Sequence, residues 1–241
     1  MAENKDIINW YDKIGANDKK KKLPKKWKNH HIHHNSMILC VGPTGSGKTN
    51  SLMDYIARSN GEFYKIIINS FNTTDEPLYN HLREKSDKIE FYDDIDSMPD
   101  LSEFEEFKEK PKLLVVDDFI NLTKKEQKKI FNYLISGRKY GFTVWLMAQE
   151  YTSIPKIITR NINYFLLYKI NDNVSVDRII RNHNIDNIQP EVFKKAYQLC
   201  TRDPLSFMII DLKSREKKDH HRHGFLNFLK LKPDDSDDEN Y

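Results

Sequence analysis

An α/β fold with a mostly parallel central sheet flanked by helices is predicted, on three observations. From Met37 onward, apolar runs of β-type residues alternate with longer amphipathic stretches. Those runs, such as MILCV, the III of YKIIINSF and the LLVV of KLLVVDD, are apolar at successive positions rather than at every second one, the pattern of strands covered on both faces. The first run breaks into glycines and passes straight into a helical pattern, as a parallel sheet does at its ligand-binding edge.

Taken in order, MILCV is a strand, KTNSLMDYIARS a helix, YKIIINSF a strand and KIEFYD a short strand. KLLVVDD is a strand, KKEQKKIFNYLISGRKY a helix, and FTVWLMAQ and INYFLLYKI are strands. VSVDRIIRNHN and PEVFKKAYQLC are helices, the second opened by Pro190, and LSFMIIDL is the last strand. Three regions follow. Residues 1–36 form a polar, basic, His-containing arm that is flexible or peripheral, residues 37–213 the folded domain, and residues 214–241 a mostly disordered tail turning from mixed charge to acidic, with one apolar patch, FLNFL.

A chain of 241 residues buries one substantial core, and nothing points to a second domain of comparable size. The net charge of +3 averages over a basic stretch, KKKKLPKKWK from Lys19 to Lys28, and an acidic one, DDSDDEN from Asp234 to Asn240. Cys40 and Cys200 have no paired spacing and read as small buried apolar residues, which excludes a disulfide scaffold. No apolar stretch approaches the ~20 residues of a membrane span, and the N-terminus carries no signal-peptide h-region. A soluble protein of a reducing compartment is expected.

Gly42, Pro43, Thr44, Gly45, Ser46, Gly47, Lys48 and Thr49 spell G-x-x-x-x-G-K-[ST] between a strand and a helix. The glycines permit backbone conformations that turn successive N–H groups toward a phosphate at the positive end of the helix. Lys48 then reaches the β- and γ-phosphates, and the Thr49 hydroxyl completes the shell of a Mg²⁺ ion. Such a site needs a carboxylate on a neighbouring strand, and KLLVVDDF ends on Asp117 and Asp118. Asp117 is the candidate for Mg²⁺, and Asp118 for orienting the attacking water, or else for capping the next loop. Gln149 ends another apolar strand, where an amide can touch both γ-phosphate and water or serve as a plain loop residue. Arg138, in SGRKYGF, suits an arginine finger entering a neighbouring subunit's site, or simply complements its helix C-terminus; Arg160 competes for the same role.

GPTGSGKT, LLVVDDF, SGRKYGF and WLMAQ followed by IPKIITRN, in this order, resemble the viral genome-packaging ATPases of the FtsK/HerA superfamily, of the poxvirus type found in large DNA viruses and virophages. The resemblance covers about Met37 to Lys169. It implies a P-loop NTPase with a RecA-type core, a pentameric or hexameric ring, and Mg²⁺-dependent ATP hydrolysis between subunits. It further implies movement of double-stranded DNA into a capsid, with capsid or portal-vertex proteins as partners, in the virion or the cytoplasmic virus factory of the host cell. The family roles carry over as Lys48 and Thr49 on ATP and Mg²⁺, Asp117 on the metal, Asp118 as base, Gln149 as sensor and Arg138 as finger. Many members have Glu where Asp118 stands, which bears on the base.

Other classes fit less well. The N-K-x-D and D-x-x-G elements of a GTPase are missing, and Ile120 stands three after Asp117. A nucleotide kinase shares the phosphate loop but needs an Arg-rich lid. A helicase or replication-initiation ATPase shares the core and differs in its DNA-facing loops. A binding protein that has lost hydrolysis conflicts with the intact Lys48, Thr49, Asp117 and Asp118. The basic stretch suits DNA phosphates, with Trp27 placed for stacking, and the acidic end suits shielding it. HHIHH (30–34) and HHRH (220–223) suggest weak surface chelation more than a structural zinc, because neither has a Cys.

Overall fold

Nine strands form one sheet in the order β3-β2-β4-β5-β1-β6-β7-β8-β9 in the computed structural model, which describes residues 8, 10–13, 23–71, 73–119, 122–183, 188–214 and 216–231. The parallel strands are β1 (Met37–Val41), β2 (Lys65–Asn69), β3 (Ile89–Tyr92), β4 (Lys112–Val116), β5 (Phe142–Ala148) and β6 (Tyr164–Leu167). The antiparallel strands β7 (Met208–Asp211), β8 (His221–His223) and β9 (Asn227–Phe228) complete one side. Every residue of β1, β4 and β5 is buried, which accounts for their apolar character, with Lys112 and Thr143 the polar exceptions in β4 and β5.

The helices are α1 (Trp10–Lys13), α2 (Lys48–Arg58), α3 (Pro77–Lys85), α4 (Lys124–Ser136), α5 (Lys156–Thr159), α6 (Asn173–His183) and α7 (Pro190–Cys200). Alternate strand residues feed two cores. Leu39, Val41, Leu114, Val116 and Leu146 pack with Ile130 of α4, Ile179 of α6 and Phe193 of α7. Ile38, Cys40, Leu113, Val115 and Trp145 pack with Leu52 and Tyr55 of α2 and Tyr79 and Leu82 of α3. A capping box starts α4: the Thr123 hydroxyl accepts from the Glu126 N–H, and the Glu126 carboxylate from the Thr123 N–H. Among the described residues no helix is long and apolar enough to cross a membrane.

Two expectations are corrected at the ends of the chain. The segment Pro24–Ser36 is not a peripheral arm: His30 and Ile32 are fully buried over α2, and the Arg58 guanidinium donates to the Asn29 carbonyl at 2.9 Å. HHIHH is therefore no surface chelator. His30 Nδ1 accepts from the Ile32 N–H at 3.0 Å, and its Nε2 faces the buried Glu62 carboxylate at 3.6 Å. Trp27 packs edge-on against His31 within the same segment. The expected disordered tail is likewise ordered through β8 and β9. The Arg222 guanidinium is fully buried, donates to the His30 and Phe225 carbonyls at 3.1 and 3.2 Å, and lies 3.5 Å from Asp211. A strand whose inward residue is a paired arginine shows no apolar signal in its sequence. Lys19–Lys22 and Asp234–Asn240 lie outside the described residues.

Candidate nucleotide site

The phosphate loop leaves β1 at Val41 and enters α2 at Lys48, between β5 and β6. The Gly42 N–H donates to the Ala148 carbonyl at 3.1 Å, which ties the loop to the end of β5. A Cβ at Gly42 would stand 2.6 Å from Tyr168 Cβ and 2.7 Å from Ser46 Oγ, so only glycine fits. Gly47 caps α2 at φ +103°, a left-handed conformation that aims the helix's first N–H groups out of the loop. The loop is held from below by Tyr168, whose hydroxyl donates to Ser51 Oγ, which in turn donates to the Lys48 carbonyl at 2.8 Å.

Lys48 is buried, and its ammonium donates to the carbonyls of Gly42 and Pro43 at 2.7 and 3.0 Å. Burial lowers its pKa, while Asp117 and Asp118 push it back up. Ser46 Oγ is buried inside the loop without a hydrogen-bond partner, a polar group left for a ligand to satisfy. Thr49 is half-buried in the first turn of α2.

The acidic strand β4 lies one strand beyond β5. Val41 is level with Ala148, and Leu146 with Val116, so Asp117, Asp118 and Gln149 emerge at the same sheet edge as Gly42. The Asp117 N–H donates to the Asn69 carbonyl at 2.9 Å, and its Oδ2 accepts from the Tyr79 hydroxyl at 2.9 Å. Burial raises the Asp117 carboxyl above its ordinary range, the Tyr79 bond lowers it, Asp118 raises it and Lys48 lowers it. Tyr79, fully buried, is pushed far up by burial and by Asp117, which keeps its proton in place as a donor. Asp118 sits at φ +52°, and its Oδ1 accepts from the exposed Gln149 amide at 3.3 Å.

Eight loop residues, two acids and one amide anticipated from sequence thus share one edge. Arg138 and Arg160 do not. Arg138 lies in the 3₁₀ turn Gly137–Tyr140 that leads into the start of β5, and Arg160 shortly before β6, where the Asn163 N–H bonds to the carbonyl of Met37, the first residue of β1. A seven-residue β5 at ~3.3 Å per residue puts them roughly 20 Å from the phosphate loop, at the opposite edge. Both are exposed; Arg138 lines a cleft of about 370 Å³ with Ile135 and Ile157, and Arg160 one of about 600 Å³ with Lys156 and His183. Tyr79 is not among the residues anticipated from sequence, because α3 shows no strong apolar period there. Its signal was Pro77 at the first helical position behind Glu76, whose side chain accepts from the Leu78 N–H.

Comparison with protein families matches residues 30–154 to the family described as AAA domain. No curated protein matches the sequence. Among solved structures, the chain is similar to B204, the DNA-packaging ATPase from Sulfolobus Turreted Icosahedral Virus: 15% identity, TM-score 0.54, covering 79% of this chain and 97% of that one. It is similar to the genome packaging NTPase B204 from Sulfolobus turreted icosahedral virus 2 in complex with ATP-gammaS, at 16% identity and TM-score 0.54, covering 78% and 96%. It is also similar to the pCW3 conjugation coupling protein TcpA, at 12% identity and TM-score 0.52, covering 80% and 61%. At these identities the likeness shows the fold, an α/β P-loop NTPase with a mostly parallel sheet flanked by helices.

Proposed function

The chain belongs to the AAA-domain family, and from that premise we propose that it hydrolyses ATP with Mg²⁺ in a ring of identical subunits, five or six by the family resemblance, and uses the cycle to drive double-stranded viral DNA into a capsid. The observation that carries hydrolysis is the convergence of the phosphate loop, Asp117, Asp118 and Gln149 at one sheet edge. Packaging rests on the order of the sequence motifs, and the similarity to the B204 proteins supports the same fold. On this reading the protein works at a capsid or portal vertex, in the virion or the virus factory.

Lys48 exchanges its bonds to the Gly42 and Pro43 carbonyls for β- and γ-phosphate oxygens, and Ser46 Oγ gains a phosphate partner. Thr49 and Asp117 are the groups that would hold the metal, and these oxygen donors suit Mg²⁺: Tyr79 occupies Oδ2 of Asp117, which leaves Oδ1. Bound Mg²⁺ neutralises phosphate charge. Asp118 takes the proton of the attacking water through the oxygen that Gln149 does not hold, and Gln149 links that carboxylate to the state of the loop. With the two arginines at the far edge, the finger comes from the neighbouring subunit, Arg138 first and Arg160 as the competing choice.

Phosphate release by the purified protein, with and without duplex DNA, tests this reading. Lys48→Ala abolishes turnover, and DNA stimulates the parent. Mixing Lys48→Ala with Arg138→Ala subunits restores part of the activity, since every junction that sets the loop of an Arg138→Ala subunit against the finger of a Lys48→Ala subunit is intact. If Arg160→Ala complements and Arg138→Ala does not, the finger moves to Arg160. Turnover in Lys48→Ala equal to the parent, or phosphorylation of an added nucleoside monophosphate without response to DNA, ends the motor reading.

A further inference from the structure

The phosphate loop fixes where phosphates sit but not where the nucleoside goes, and the sheet supplies a direction. Asp117, Asp118 and Gln149 all lie on the β4–β5 side of β1, so the terminal phosphate faces that side and the nucleoside leaves toward β6 and β7. Because β7 runs antiparallel to β6, with Leu167 level with Met208, the loop entering β7 emerges at the phosphate-loop edge. Leu205 of that loop lies on the phosphate loop itself. A Cβ at Gly47 would stand 2.9 Å from Leu205 Cδ2 and 3.1 Å from its Cα.

Leu205 also has a backbone that its side chain does not favour. Asp203–Ser206 is a turn closed by the Ser206 N–H on the Asp203 carbonyl at 3.2 Å, with Pro204 second and Leu205 third at φ +63°. A positive φ at that position is ordinarily given to glycine or asparagine, and a branched side chain there is strained. Core packing does not explain the choice, for Leu205 is 52% exposed. Strain at an exposed apolar residue beside a ligand loop points to the ligand.

We propose that Leu205 is the apolar platform on which the nucleobase of the bound nucleotide rests. The inference depends on the nucleotide-binding reading above and extends it to the base. An isobutyl group offers a base dispersion contact and dehydration but no hydrogen bond, so the platform strengthens nucleotide binding without choosing between purines.

Calorimetric titration with ADP and with pyrophosphate separates the contributions, because pyrophosphate has no base. Leu205→Gly relieves the strain and leaves the melting temperature unlowered, while ADP binds about tenfold more weakly and pyrophosphate as in the parent. Leu205→Ala keeps the strained backbone and shows the same ADP loss. Equal loss for both ligands, no loss for either, or an ADP loss confined to the glycine variant overturns the proposal, the last by assigning the effect to loop flexibility. A parent that binds neither ligand overturns instead the nucleotide reading on which the platform stands.

Discussion

Replacing Gly42 by alanine perturbs the tightest point of the phosphate loop. The added methyl carbon would meet Tyr168 Cβ at 2.6 Å, Ser46 Oγ at 2.7 Å and Tyr168 Cγ at 3.2 Å. Carbon atoms in contact prefer ~3.5–4.0 Å, so the two sides must part by about 1 Å. Tyr168 cannot yield, because its N–H is bonded to the Val41 carbonyl at 3.0 Å and its hydroxyl to Ser51. The loop therefore moves and carries the Lys48 ammonium with it. Overpacking of this kind costs ~1–3 kcal/mol, which lowers the melting temperature by roughly 2–12 °C for a domain of this size. A displacement of ~1 Å at the reacting groups reduces turnover about 100-fold. Thermal denaturation and phosphate release measure the two effects together. Turnover within about twofold of the parent would refute the claim that contact with Tyr168 sets the loop's position.

Two further predictions concern buried polar groups. Tyr79→Phe removes the hydroxyl that holds Asp117 Oδ2, so Mn²⁺ affinity in the presence of ADP falls about tenfold while metal-free ADP binding is unchanged; equal Mn²⁺ affinities refute a positioning role. Burial lowers His30 to about 3 and His34 to about 4, from 6.5. His30 Nδ1 accepts an N–H and so carries no proton; the ring is neutral although it faces Glu62. Below 6.5 the unfolded chain takes up protons that the native histidines refuse, so their contribution to stability is present above 6.5 and lost as pH falls toward 4. Burial raises Glu62, which takes up a proton in the native state and offsets part of this loss. Each of the two histidines adds a slope of up to ~1.4 kcal/mol per pH unit, Glu62 reduces the total, and His34→Gln removes one such contribution. Urea denaturation between pH 6.5 and 4.5 checks this, and parallel curves for parent and variant refute it.

The phosphate loop was legible because everything it needs is local: glycines, lysine and threonine within eight residues, framed by a strand and a helix. The acidic strand and its neighbours were legible for a related reason, since strands buried on both faces are nearly all apolar, Lys112 and Thr143 being the exceptions in β4 and β5. What stayed hidden depends on contacts between distant residues. Tyr79 meets Asp117 across 38 positions, and no spacing announces such a pair. The polar run HHRH gave no strand signal because the partner that lets Arg222 be buried, the His30 carbonyl, lies 192 positions away. Leu205 looks like an ordinary residue of TRDPLS until its backbone angle and its place over Gly47 are known.

The bond from Arg222 to the His30 carbonyl has a temporal consequence. A ribosome delivers residues 23–36 early, yet their seat is finished only when Arg222, Phe225 and the β8–β9 hairpin have emerged. The parallel core can assemble meanwhile, but the latch over α2 cannot shut until almost the whole described chain has been made. Folding of this P-loop NTPase thus closes by bringing residues 23–36 and the β8–β9 hairpin together.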